Sequence, residues 1–148
     1  MKTLSIVCLA FLAACTSNRV QDSIPAFSKE KVCSVQSLEY FKEHSTSSQV
    51  KKKISEEDIR ARMLSLEPSI RKCYEEEMAW TGKHHSFNLC FVSGYSKTGA
   101  IDFFEFSTQE IAMTKEFKSC LSELKRSKEL IGLKDLSILQ PYSLNPKR

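Results

Sequence analysis

His85-Ser86-Phe87-Asn88-Leu89-Cys90-Phe91-Val92-Ser93-Gly94-Tyr95, then Ser96-Lys97-Thr98-Gly99, then Ala100-Ile101-Asp102-Phe103-Phe104-Glu105-Phe106 is the stretch that decides the fold. Successive side chains of a strand point to opposite faces, so residues two apart share one. Phe87, Leu89 and Phe91 then fall on one side, with Asn88, Cys90 and Val92 on the other. In the returning segment Ile101 and Phe103 share a face, and Phe104 and Phe106 take the opposite one. Ser96 to Gly99 reads as the hairpin turn between them, with glycine available for a positive φ.

Upstream, Ser55 reads as a helix N-cap. Glu56, Glu57 and Asp58 complement the positive end of the helix dipole, and Asp58 stands at the capping-box position. Ile59, Met63, Leu66, Ile70, Cys73 and Met78 make one apolar face. Pro68 interrupts that face, so either one helix kinks there or a second begins with Pro68 in its first turn. Gly82 ends it. Downstream, Thr114 caps a second helix whose stripe is Phe117, Cys120, Leu121 and Leu124. Lys125, Arg126 and Lys128 suit its C-terminal end, and Gly132 is the stop. Leu136 to Leu144 read as a last strand, with Pro141 better suited to a sheet edge than to its centre. The order is helix, strand, strand, helix, strand. The fold expected is α+β, a small antiparallel sheet with helices packed on one face.

The N-terminus belongs to a different class of signal. Lys2 and an apolar run from Leu4 to Ala14 precede Leu12-Ala13-Ala14-Cys15, which resembles the lipobox of bacterial lipoproteins. The run is about half of the ~20 residues a spanning helix needs, so it reads as a cleaved export signal. The alternative is an ordinary secretory signal in which Cys15 is incidental. The resemblance implies lipidation at Cys15, with a multiply acylated cysteine holding the mature chain to a membrane. In such lipoproteins an aspartate after the cysteine favours the inner membrane. Thr16 stands there instead, which points to the outer membrane, facing the periplasm. The organisation expected is a signal over 1–14, a lipidated tether over 15–53 and a domain over 54–148. Within the tether, Val32, Val35, Leu38 and Phe41 have the spacing of a short helix, and Lys51-Lys52-Lys53 form a basic patch.

Charge narrows the partners. The chain carries a net +4, or +3 once Lys2 is removed with the signal. That mild excess does not mark a nucleic-acid binder. Of six cysteines, Cys8 leaves with the signal and Cys15 takes lipid, so Cys33, Cys73, Cys90 and Cys120 remain. Four cysteines in an oxidising compartment suggest two disulfides, with three pairings open. There is no CxxC.

Ile70-Arg71-Lys72-Cys73-Tyr74-Glu75 at a helix end, an aromatic-rich strand, Thr98-Gly99-Ala100-Ile101, Ser107, and Phe117 followed by Cys120 form a further pattern. Over about residues 55 to 140 it resembles the C-terminal domain family named for the gliding-motility proteins AgmX and PglI, itself related to the TonB C-terminal domain. The resemblance implies a TonB-like two-layer domain and a Cys73–Cys120 disulfide. Both cysteines also lie on apolar faces that should meet. Cys33 and Cys90 are then left to each other by parity. The departures from a TonB energy transducer are the lipid anchor and the lack of a long proline-rich spacer, which argue against energy transduction. What the family likeness leaves is a sheet edge able to accept a partner strand.

No residues call for catalysis. His84 and His85 point opposite ways in an extended strand and do not share a metal easily, even with His44 as a third ligand. Cys90 as a nucleophile would need a base and a reducing compartment. Glu75-Glu76-Glu77 spread around a helix and read as a solvated face. P-loop, GxSxG and HExxH are absent from the sequence. The expectation is a lipid-anchored, non-catalytic envelope protein that needs no cofactor or metal and binds an envelope protein partner. Trp80 and Tyr142 are the candidate contact residues. Peptidoglycan, met through the lysines, is the alternative partner, and an envelope hydrolase the less favoured reading.

Overall fold

The structure, a computed structural model, describes residues 28–45 and 54–146. Residues 1–14, Cys15 and Lys51-Lys52-Lys53 lie outside the described residues. Helix α1 is Lys29–Val32, α2 Val35–Ser45, α3 Glu56–Thr81 and α4 Lys115–Glu123, and the strands are β1 Phe87–Tyr95, β2 Ile101–Ser107 and β3 Leu136–Leu144. Two short 3-10 turns, Leu124–Arg126 and Lys128–Leu130, join α4 to β3. The chain is α+β, with one antiparallel sheet in the order β2-β1-β3. No described helix is long and apolar enough to cross a membrane.

Local chemistry sets the helix ends. Ser55 Oγ accepts from Asp58 N at 3.0 Å, and its hydroxyl donates to the Asp58 carboxylate at 2.7 Å. Gly82 adopts a left-handed conformation, φ 66°, and returns its N–H to Met78 O. Between these caps α3 is continuous, so Pro68 neither ends one helix nor begins another. An interior proline costs about 3 kcal/mol through its missing N–H and ring clash. Burial of Leu66 and Ile70 on either side, at roughly 1.5–3 kcal/mol per side chain, offsets it.

The hairpin turns where expected. Gly99, φ 91°, donates to Ser96 O at 3.0 Å, and Ser96 N donates to Ala100 O at 2.9 Å. The strand phase differs from simple alternation at one place. Gly94 pairs with Phe103 but Tyr95 pairs with Ile101, leaving Asp102 as an extra residue. Such a bulge flips the alternation. Ile101 therefore joins Phe104 and Phe106 on the α3 side, while Phe103 lies on the other face.

Two cores result. Phe87, Leu89 and Phe91 of β1 face α3 and α4, in a cluster with Leu66, Ile70, Tyr74, Phe117, Leu121 and Tyr142. Cys90 and Val92 face the other way and meet Val32, Cys33, Leu38, Tyr40 and Phe41. The principal helices do share one face, but α1 and α2 cover the second. Residues 28–45, which fall within the tether expected over 15–53, thus pack on the sheet. Nor is the short helix the single stripe expected. It breaks at Cys33-Ser34, and Val35 is 68% exposed. Disulfides join Cys33 to Cys90 and Cys73 to Cys120.

Candidate binding surfaces

The two outer strands present different edges. Asn88 N donates to the Glu110 carboxylate at 2.6 Å, just beyond the end of β2, so its amide points to the β2 side. Amide direction alternates along a strand. Cys90 therefore also points to β2 and asks nothing of Pro141 opposite it. Pro141 directs its backbone to the free edge of β3, where it has no N–H to offer, and its carbonyl already accepts from Gln140 Nε2 at 2.9 Å. An edge so blunted is a poor template for another strand.

On β2 the same alternation turns the backbone groups of Phe104 and Phe106 outward. Among the described residues neither has a partner there. Beside this edge runs a groove of about 430 Å3, lined by apolar Phe104, Phe106, Met113 and Leu121 and by polar Glu105, Ser107, Thr108, Lys118 and Ser122. Lys118 and Ser122 are exposed on its α4 wall. An open edge with a groove alongside is the geometry that takes an extended segment: main-chain bonds hold it and alternate side chains enter the groove.

The α4 wall is fixed to α3 at two points. Thr114 Oγ1 accepts from Phe117 N at 3.1 Å and donates to Glu77 Oε2 at 2.5 Å, and Cys120 is bonded to Cys73. Phe117 also meets Phe87 edge-on, with ring centroids 6.2 Å apart. The groove width is thereby set by the packing of α4 on α3. A larger groove, about 740 Å3, lies between Phe41, Ser45, Glu56, Ile59 and residues 136–140. Residues 46–53, which join its two walls, lie outside those described.

The structure separates the two expected contact residues. Trp80 is 76% exposed at the end of α3. Tyr142 is buried, and its hydroxyl donates to Met63 O at 2.8 Å. Burial, with the charges of Glu67 and Tyr95 adding, pushes that hydroxyl well above the ordinary tyrosine range. Tyr142 is a structural residue and not a contact residue, because its position in β3 turns the ring toward α3. The Glu75-Glu76-Glu77 run is not uniformly solvated either. Glu77 is buried beneath Thr114, whereas Glu76 is exposed, with Lys72 Nζ at 4.0 Å. Position 77 lies four residues after Cys73, on the same stripe, and that spacing was the available signal.

The histidines are dispersed in role. His44 stacks on Tyr40 at 4.0 Å and its Nδ1 lies 2.8 Å from Tyr40 O. His85 is half-buried against Phe87, and His84 is exposed. Among the described residues no group of three histidine, cysteine or acidic side chains is placed to hold a metal. Cys90 is bonded to Cys33 and offers no thiol.

One polar cluster escaped the sequence reading. The Glu105 carboxylate accepts from Ser34 Oγ at 2.7 Å and from Ser37 Oγ. Ser34 Oγ in turn accepts from Ser37 N at 3.1 Å, capping α2, and Ser34 N donates to Ser107 Oγ at 3.0 Å. Gln109 Nε2 donates to Cys33 O at 2.7 Å. These bonds fasten the N-terminal helices to β2. The chain matches no protein-family model, no curated protein and no solved structure.

Proposed function

We propose that this chain is a lipid-anchored envelope protein whose domain holds an extended segment of an envelope protein partner along β2, without catalysis. The observation that supports this most is the contrast of edges: β3 is blunted at Pro141, while the backbone groups of Phe104 and Phe106 turn outward beside a groove of mixed polar and apolar lining. The resemblance to the AgmX and PglI domains, and through them to TonB C-terminal domains, supports the same mode. The lipobox-like Leu12-Ala13-Ala14-Cys15 supports the anchor and an outer-membrane location.

A photo-crosslinking residue in place of Ser122 is expected to capture one defined envelope protein in intact cells. Lys118→Trp fills the groove from the other exposed position on its α4 wall and is expected to abolish capture by the probe at Ser122. An equal adduct from a probe at Ser143, on the β3 side, or no adduct at all, would sink the β2 reading. For the anchor, Cys15→Ala is expected to move the protein out of the membrane fraction, and a variant that still pellets would refute lipidation there.

A further inference from the structure

The last turns of α3 and the first turns of α4 enclose a small cleft of about 140 Å3, on a face of α4 other than the one lining the β2 groove. Buried Cys73 and Phe117 form its floor together with Cys120, and the Trp80 indole stands beside them. Glu76 and Glu116 stand exposed at the rim. Trp80 is the most exposed large apolar side chain among the described residues. Glu76 has Cys120 Sγ at 3.8 Å and Lys72 Nζ at 4.0 Å, the outer limit of an ion pair, and Glu116 has no ion pair among the described residues.

We infer that this cleft takes an arginine or lysine side chain presented by a protein partner. A tryptophan face attracts a cation within about 6 Å of its centroid, more strongly than any other aromatic ring. Two carboxylates supply the opposite charge. The apolar floor accepts the methylene stem, which long cationic side chains bury while their heads stay wet. A guanidinium fits best, since it stacks on the ring and forks toward a carboxylate at once. An anionic lipid surface is the wrong occupant, because Glu76 and Glu116 repel it. The contact is independent of strand addition on β2 and stands or falls separately.

Trp80 is the sole tryptophan of the chain, so its emission reports directly on the cleft. The full chain in detergent is titrated with a short arginine–glycine peptide, with its glutamate–glycine counterpart and with anionic phosphatidylglycerol vesicles. A saturable change is expected with the arginine peptide alone, weakening as salt rises. By calorimetry, Trp80→Ala is expected to weaken peptide binding about fivefold and the Glu76→Gln/Glu116→Gln pair about tenfold. Circular dichroism and the disulfides should be unchanged in both. Any one of four results overturns the inference: silence toward the arginine peptide, an equal response to the glutamate peptide, a response to vesicles only, or undiminished binding by Trp80→Ala.

Discussion

The two faces of the sheet are held by different physics. On the α3 and α4 side, eighteen buried residues form one continuous apolar cluster. On the α1 and α2 side, among the described residues, Val32, Cys33, Cys90 and Val92 are buried in the cluster with half-buried Leu38, Tyr40 and Phe41 against it, and a disulfide and the hydrogen bonds of Ser34, Ser37 and Gln109 complete the attachment. Hydrophobic stabilisation scales with area, at roughly 25 cal/mol per Å2, so a long helix can hold itself down with its stripe. Helix α1 has four residues and α2 eleven, and isolated helices of that length are marginal in water. A covalent link and charge-assisted hydrogen bonds stand in for the missing area.

That contrast can be broken in order of expected effect. Phe87→Ala removes a fully buried ring that meets both Tyr74 and Phe117, and it should cost about 3–5 kcal/mol in denaturant unfolding of the oxidised protein. A loss under 1 kcal/mol would mean the large face is not the main core. Replacing Cys33 and Cys90 together by alanine should cost about 2–4 kcal/mol. Hydrogen exchange should locate the loss in α1 and α2, with α3 protection kept. Uniform loss across the sheet would erase the distinction between the faces.

Gly94→Ala is a sharper probe of the small face. A Cβ there would stand 1.8 Å from Tyr40 Oη, and Tyr40 is stacked between His44 and Phe103. The expected cost is about 1–3 kcal/mol, with the Tyr40 environment changed and that of Tyr142 unchanged. Near-ultraviolet dichroism or tyrosine NMR shifts would show it. Glu105→Gln keeps the shape and weakens the charge-assisted bonds to Ser34 and Ser37, for about 1 kcal/mol and faster exchange at the start of α2.

The last effect is absent at neutral pH. Burial raises all four tyrosines above the usual range, Tyr74, Tyr95 and Tyr142 on the large face and Tyr40 on the small one. The unfolded chain then loses its phenolic protons first, at pH about 10. Stability should be level below that pH and fall above it, as the unfolded state binds fewer protons than the native one. Thermal melts from pH 7 to 11 would check the sign, and stability rising in that window would contradict the burial of these hydroxyls.

Much of the large face was legible because its signals are local. The caps at Ser55, Thr114 and Gly82 depend on neighbours within four residues. The phase of β1 and the stripes of α3 and α4 depend on period alone. Tyr142 was misread because its exposure depends on where β3 lies against α3, and nothing within β3 shows that. Ile101 was placed on the face of Phe103 because a bulge is invisible to alternation until the partner strand is in place. Glu77 read as surface charge and Glu105 drew no reading, yet both are held by hydroxyls remote in sequence, Thr114 for one and Ser34 with Ser37 for the other.

From the residues in order one obtains the helices and strands, their apolar sides and an α+β class, since these follow from spacing and from bonds that close within a turn. Which edge of the sheet stays open, which face the N-terminal helices take, and where a cleft forms beside Trp80 follow from elements distant in the chain meeting. Those meetings depend on strand order, on one bulge and on two crosslinks, and no local pattern encodes them.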